Sequence, residues 1–235
     1  MDVIALKPAG EGNLRNQIYE QLRSMIQRGG LAPDQKLVDV AIASQLGVSR
    51  MPVRDALMQL MHQGYLVGTT RGFVLPTLTA SDIANIFEVR RCLEPRAAAR
   101  AADRLDAQGL AKLETALSDA RKAVEAGDAE TFFQANSLFR NTWLAAVGND
   151  WLSSTISRFA DHVLVVRLRT LSHPPTQAIV LAGMQGIYDA FARRDSIAVF
   201  DLVTRFIENA EDRFVALSKE LDAAGHNTST TTRTA

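Results

Sequence analysis

Cysteine is nearly missing from this chain: Cys92 stands alone among 235 residues. That excludes an intrachain disulfide and a thiolate metal cluster, and it is the usage expected in a reducing, cytoplasmic setting. A surplus of one charge sign is missing too, since Lys plus Arg and Asp plus Glu number 26 each. Bulk charge therefore gives no reason to expect nucleic acid. The balance hides a small asymmetry: residues 1–77 carry 8 basic and 6 acidic side chains, and the remainder 18 and 20. No apolar run approaches the roughly 18 residues of a membrane span, and an opening with acidic Asp2 is unlike a secretory signal, so no membrane partner is expected. Nor is there a Ser-His-Asp arrangement, an HExxH motif, a phosphate-cradling glycine loop or a cysteine nucleophile, so catalysis and a cofactor are not expected.

What is present is the material of a globular protein, with 47% apolar and 22% charged residues and a length that suits two domains. Leu14, Ile18, Leu22, Met25 and Ile26 recur at helical spacing over residues 13–28, and Gly29-Gly30 follows as a stop. A turn near Pro33-Asp34 leads to a short helix from about Val38 to Leu46, and Gly47-Val48 then precedes a helix with Ser49 at its N-cap and Gly64 at its end. Tyr65-Leu66-Val67 and Phe73-Val74-Leu75 flank Gly68-Thr69-Thr70-Arg71-Gly72, which predicts a β-hairpin with a longer loop.

Pro76-Thr77-Leu78-Thr79 reads as a linker, with Ser81 as the cap of the next helix. Beyond it only helical periodicity remains, broken at Asp106, Gly127-Asp128, Gly148-Asn149, His173-Pro174-Pro175 and Arg194-Asp195. The expected fold is mainly α: a winged helix-turn-helix over 1–77 and an all-α bundle of about six helices over 78–222. Residues 223–235 are polar and repetitive, with almost nothing large to bury, and are expected to form a disordered tail.

The sharpest chemistry lies between Gly47 and Leu57. Arg50 and Arg54 are four residues apart, hence on one helix face, at the end that recognition helices point into the major groove. Val53, Leu57 and Leu60 take the other face. Two guanidinium forks so placed suit guanine edges or phosphate oxygens, and Arg71 at the wing tip could reach the adjacent minor groove. Two arginines at this spacing are by themselves more often a solvated helix face; helix, turn, capped helix and wing in order favour the DNA reading.

This segment resembles the GntR family of bacterial regulators, with Ile26 to Pro33, Leu46-Gly47-Val48-Ser49-Arg50-Met51-Pro52-Val53-Arg54-Asp55-Ala56-Leu57 and Arg71-Gly72-Phe73-Val74 supplying the motif. Asp34 stands where the family usually has Gly, and Ala41-Ile42-Ala43 replaces an acidic-Leu-Ala stretch. The resemblance implies a homodimeric regulator, here a repressor, on a near-palindromic operator. Ser49, Arg50, Met51 and Arg54 would serve the recognition helix, and Arg71 and Gly72 the wing.

Residues 81–222 resemble the helical effector domain of the FadR subfamily, called FCD. Glu88 to Ala98 resembles its "E.R..LE..AA" and Ala145-Ala146-Val147-Gly148-Asn149 its "AAGN". Many members hold a divalent metal there through an Asp, a His four residues later and two further His. The matching positions are Asn136, Arg140, Met184 and Phe206, so no metal is expected. His62, His162, His173 and His226 lie elsewhere. The effector expected instead is a small organic acid, with Arg140 in the cation's place and Arg90 either lining the cavity or paired to a carboxylate. The alternative is a helical region that only dimerises and senses no ligand.

Overall fold

The computed structural model describes residues 11–27, 30–32, 35–163, 167 and 170–229. The chain divides into two compact units, Met1–Asp82 with Ala160–Leu164, and Ile83–Phe159 with Val165–Ala235. The expected boundary at residue 77 thus moves to 82. The reason is local: α4 (Ala80–Ala102) opens with a reciprocal capping box at Thr79 rather than at Ser81. Thr79 Oγ1 accepts from the Asp82 amide at 3.1 Å, and Asp82 Oδ2 accepts from the Thr79 amide at 2.9 Å.

In the first unit, α1 (Glu11–Gln27) buries Ile18, Leu22 and Ile26, and α2 (Asp39–Leu46) buries Ile42. The buried stripe of α3 (Arg50–His62) is Val53, Ala56, Leu57 and Leu60. α2 ends at Gly47, whose φ of 64° lets the chain reverse into α3. Tyr65, buried beside them, donates to Asp161 Oδ2 at 2.7 Å, and Arg23 Nη2 donates to the same oxygen at 3.1 Å. Burial, then the Asp161 charge, raises the Tyr65 phenol above its ordinary value.

The wing is shorter in its loop than the sequence suggests. β1 (Val67–Thr69) and β2 (Gly72–Val74) are antiparallel with Thr69 opposite Gly72, so Gly68 and Thr69 are strand and only Thr70-Arg71 turns. Thr69 Oγ1 closes that turn by donating to the Gly72 carbonyl at 2.9 Å. Leu37 adds a third edge, exchanging both backbone hydrogen bonds with Phe73 at 2.7 and 2.9 Å.

Six further helices follow among the described residues: α4, α5 (Ala107–Ala126), α6 (Ala129–Ala145), α7 (Asp150–His162), α8 (Pro174–Ala192) and α9 (Ser196–Ser229). From α5 onward their starts fall where the punctuation predicts. Asp106 and Asp128 accept the Gly109 and Thr131 amides at 2.7 and 3.0 Å, Asn149 the Leu152 amide at 3.1 Å, and Asp195 the Ala198 amide at 2.9 Å. α4 continues through Pro95, which is buried. α5 packs against α6 and α8, and α8 against α9. Alanines 116, 120 and 123 of α5 are buried, small enough to let neighbouring helices approach. Around them lie Phe132, Phe139, Trp143, Met184 and Phe191.

α9 runs to Ser229, so residues 223–229 are helical where a disordered tail was expected, and 230–235 lie outside the described residues. Once a long helix is nucleated, each added residue gains a hydrogen bond at little cost, and Ala223 and Ala224 favour that extension.

Candidate nucleic-acid interface and effector pocket

The N-terminal end of α3 presents its polar side outward. Ser49, Arg50, Met51 and Arg54 are all exposed, while Val53 and Leu57 beneath them are fully buried. Ser49 occupies the N-cap position in extended backbone, yet its side chain makes no capping hydrogen bond. Met51, 62% exposed, is an apolar group at the leading edge of the helix, of the kind that packs on a thymine methyl.

Arg50 is tethered. Its Nε donates to Asp39 Oδ2 at 2.8 Å, and Asp39 Oδ1 accepts the Val40 amide at 2.8 Å. Asp39 is buried while the Arg50 side chain keeps 54% of its surface. The Arg50 hydrogen bond, working against desolvation and helped by the Val40 amide and the charge of Arg54, holds the Asp39 carboxyl below the usual carboxylate range. Sequence reasoning passed over Asp39, since its partner is eleven residues away on another helix.

Arg71 is exposed at the second position of the wing turn. Gly72 has a structural task as well. Its φ is 123°, and a Cβ there would lie 2.5 Å from the Leu37 carbonyl oxygen. Glycine is required because β2 passes so close to Leu37.

In the second unit a pocket of about 610 Å³, its mouth included, opens among α4, α6, α8 and α9. Of the five residues expected there, Arg90, Asn136 and Phe206 line it, while Arg140 and Met184 lie outside the lining. Met184 is fully buried and packs behind Asn136, whose Nδ2 is 3.5 Å from its sulfur. Phe206 sits over Gly183, where a Cβ would approach its ring to 2.6 Å.

Arg90 lines the pocket, and its Nε donates to Glu94 Oε1 at 2.6 Å, one turn along α4. Its guanidinium also lies 5.0 Å from the Phe87 ring centre. A guanidinium reaches Asn136 from Arg167. Arg167 Nη2 donates to Asn136 Oδ1 at 2.6 Å and lies 3.3 Å from Ser137 Oγ.

Arg167 and Arg213 are the charged pocket residues that sequence reasoning missed. Arg213 was accessible to it, because Phe206, Asn209, Ala210 and Arg213 form one stripe of α9 at helical spacing. Arg167 lies in a segment whose pairing nothing local announces.

The residues do not fit a divalent cation. Asn136 offers a neutral amide oxygen already bound to a guanidinium, Met184 a thioether and Phe206 a ring. Among the described residues no group of three His, Cys, Asp or Glu could hold a metal ion. No helix of the described residues is long and apolar enough to cross a membrane.

Comparison with known proteins agrees with this architecture. The FCD domain matches residues 85–209, and the pattern of bacterial regulatory proteins of the gntR family matches residues 14–73. Over 129 residues the chain is 34% identical to the HTH-type transcriptional regulator McbR of Escherichia coli K12, covering 54% of this chain and 58% of that protein. It is 26% identical over 210 residues to the HTH-type transcriptional repressor RspR of the same organism, covering 88% and 91%. In structure it resembles E. coli McbR/YncC with a TM-score of 0.78 at 24% identity, over 87% of this chain and 98% of that one. A GntR regulator from Rhodococcus sp. RHA1 aligns with a TM-score of 0.73 at 21% identity, over 87% and 98%. The chain belongs to the GntR family of DNA-binding transcriptional regulators, with a winged helix-turn-helix followed by an FCD domain, and is not an enzyme.

Proposed function

We propose that the protein is a ligand-responsive repressor that binds a near-palindromic operator as a homodimer and releases it when a small organic acid occupies the pocket of the FCD unit. The observation that carries the DNA half is the exposure of Ser49, Arg50, Met51 and Arg54 together on one end of α3. A recognition helix enters the major groove by that end, and its guanidinium forks match guanine O6 and N7 or phosphate oxygens. Arg71 on the wing contributes a phosphate or minor-groove contact.

One α3 of 13 residues reads a single half-site. Two-fold pairing of chains supplies the second, which is why a near-palindrome is expected. The pocket supports the ligand half, being apolar over most of its wall and bearing convergent arginines and amides. The similarity to RspR, named a repressor, supports the direction of control.

The test is a band-shift titration with an operator selected from randomised duplexes. Arg54→Ala is expected to lower operator affinity by about 1–3 kcal/mol at matched salt. Undiminished affinity removes α3 from the reading.

A further inference from the structure

We propose that Asp161 and His162, which lie inside the stretch matched by the FCD domain, are positioning residues of the DNA-binding unit: they clasp the turn at the end of α3 and hold the recognition helix in the tilt that operator contact needs. This rests on the reading above that α3 enters the major groove, and adds a determinant of its placement.

α7 is one helix with residues in both units. Asp150–Phe159 belongs to the second, whereas Ala160–Leu164 belongs to the first. Ala160 and Val163 are fully buried, and Asp161 is 6% exposed. A buried carboxylate is costly unless donors answer it. Here Tyr65 Oη donates to Asp161 Oδ2 at 2.7 Å and Arg23 Nη2 donates to the same oxygen at 3.1 Å, with the Arg23 guanidinium 5.7 Å from the Tyr65 ring centre.

These contacts gather at the end of the recognition helix. Gln63 is the C-cap of α3, and Gly64-Tyr65 continues the turn that follows. His162 Nε2 lies 3.1 Å from the Gln63 carbonyl oxygen, and its imidazole meets the Tyr65 ring edge-on at 6.0 Å between centres. Gly64 has a φ of 81°, and a Cβ there would lie 2.7 Å from that imidazole. On α1, Tyr19 Oη donates to Gln63 Oε1 at 2.5 Å. The C-terminal end of α3 is thus held both to α1 and to the last turn of α7.

Leverage gives this hold a part in recognition. A helix of 13 residues is about 20 Å long, so a tilt of about 3° about its clasped end moves the leading end, with Arg50 and Arg54, by about 1 Å. That is twice the roughly 0.5 Å within which a binding constellation keeps its geometry. Phosphate contacts are electrostatic and less demanding of geometry, so they lose less. The clasp therefore bears on discrimination between operator and other DNA more than on affinity for duplex as such.

Fluorescence anisotropy with the full chain, on a selected operator and on a scrambled duplex at one salt concentration, measures both affinities. Asp161→Ala is expected to weaken operator binding about fivefold or more while scrambled DNA changes by less than about twofold. Loss of the negative charge by itself would tighten both. Asp161→Asn, which keeps an uncharged acceptor for the Tyr65 hydroxyl, is expected to stay within about twofold of the parent on the operator. Melting temperatures report whether each variant is folded at the assay temperature. Should Asp161→Ala be unfolded, Tyr65→Phe, which removes one hydroxyl from the clasp, reads the same ratio, with a fall of at least about twofold expected.

An unchanged ratio of operator to scrambled affinity in the folded variant, an equal loss on both duplexes, or Asp161→Asn as weak as folded Asp161→Ala overturns the proposal. Arg54→Ala, run alongside, separates the two readings. If it leaves operator affinity intact, the placement of α3 in the groove fails and the clasp with it; if it weakens the operator and the clasp variants do not, the clasp alone fails.

Discussion

Asp39→Asn is the most searching perturbation of the DNA-binding surface, because simple electrostatics and the tether to Arg50 give opposite signs. Removing a negative charge from a surface that faces phosphates should tighten binding to any duplex. At an effective dielectric near that of water, one charge some 7 Å from a phosphate contributes about 0.6 kcal/mol, less after screening. Random-sequence DNA is therefore expected to bind the variant slightly more tightly, by up to about twofold.

Operator DNA should behave differently. Asp39 Oδ2 accepts from Arg50 Nε at 2.8 Å and so restricts the rotamers of the guanidinium before DNA arrives. An arginine that must be ordered at the moment of binding loses up to about 2 kcal/mol of rotamer entropy, against a bidentate base contact worth about 1–3 kcal/mol. Asparagine keeps an acceptor for the Val40 amide but offers Nε only a weaker, uncharged one. A loss of about 1 kcal/mol, roughly fivefold, is expected for the operator, with less than about 1 kcal/mol of folding stability lost. Fluorescence anisotropy on a selected operator and a scrambled duplex, at one salt concentration, measures both. If the two affinities move in the same direction and by the same factor, the tether has no part in recognition.

Three further outcomes follow from the same geometry. Gly72→Ala is expected to destabilise the first unit by at least about 1–3 kcal/mol, since it combines a φ of 123° with a Cβ 2.5 Å from the Leu37 oxygen, and thermal or urea unfolding measures it. Arg71→Ala should weaken operator and random DNA alike and reduce the slope of log affinity against log salt by about one; a loss confined to the operator would instead mean that Arg71 reads bases. The Asp82 carboxyl is held low by the Thr79 hydroxyl and then the Thr79 amide, so its stabilisation is fully present above the ordinary aspartate range and is lost as pH falls through the depressed value. Thr79→Ala should accordingly flatten the acid limb of a melting-temperature profile below about pH 4, and an unchanged limb would exclude the capping box as its source.

The helices were legible because their ends are chemical events. Asp106, Asp128, Asn149 and Asp195 each accept the amide three residues on, which a sequence reveals as a polar residue before an apolar stripe. Ser81 misled because Thr79 and Asp82 make the box between them, and either threonine or serine satisfies the local pattern. The wing misled for a related reason: Gly68 suggests a turn, while the glycine that the fold requires is Gly72, and the cause is a carbonyl 35 residues earlier, at Leu37. Local chemistry writes helix ends into the sequence, but the close approach of distant backbone leaves no local mark.

The candidate arginines divide in the same way, and the division explains which pairings were foreseen. An arginine is available to a ligand according to which carboxylates the fold brings to it. Glu94 sits one turn from Arg90, and the i,i+4 rule foretells that pair. Glu211 reaches Arg91 from another helix, and Asp39 reaches Arg50 across a turn. No spacing rule foretells these two. Glu94 and Glu211, acids on two helices that build the pocket, are thus both engaged by arginines of α4, and among the described residues the pocket wall carries arginines and no acid. At the positions where the family resemblance expects metal ligands, Asn136 and Phe206 line the pocket and Met184 packs behind Asn136.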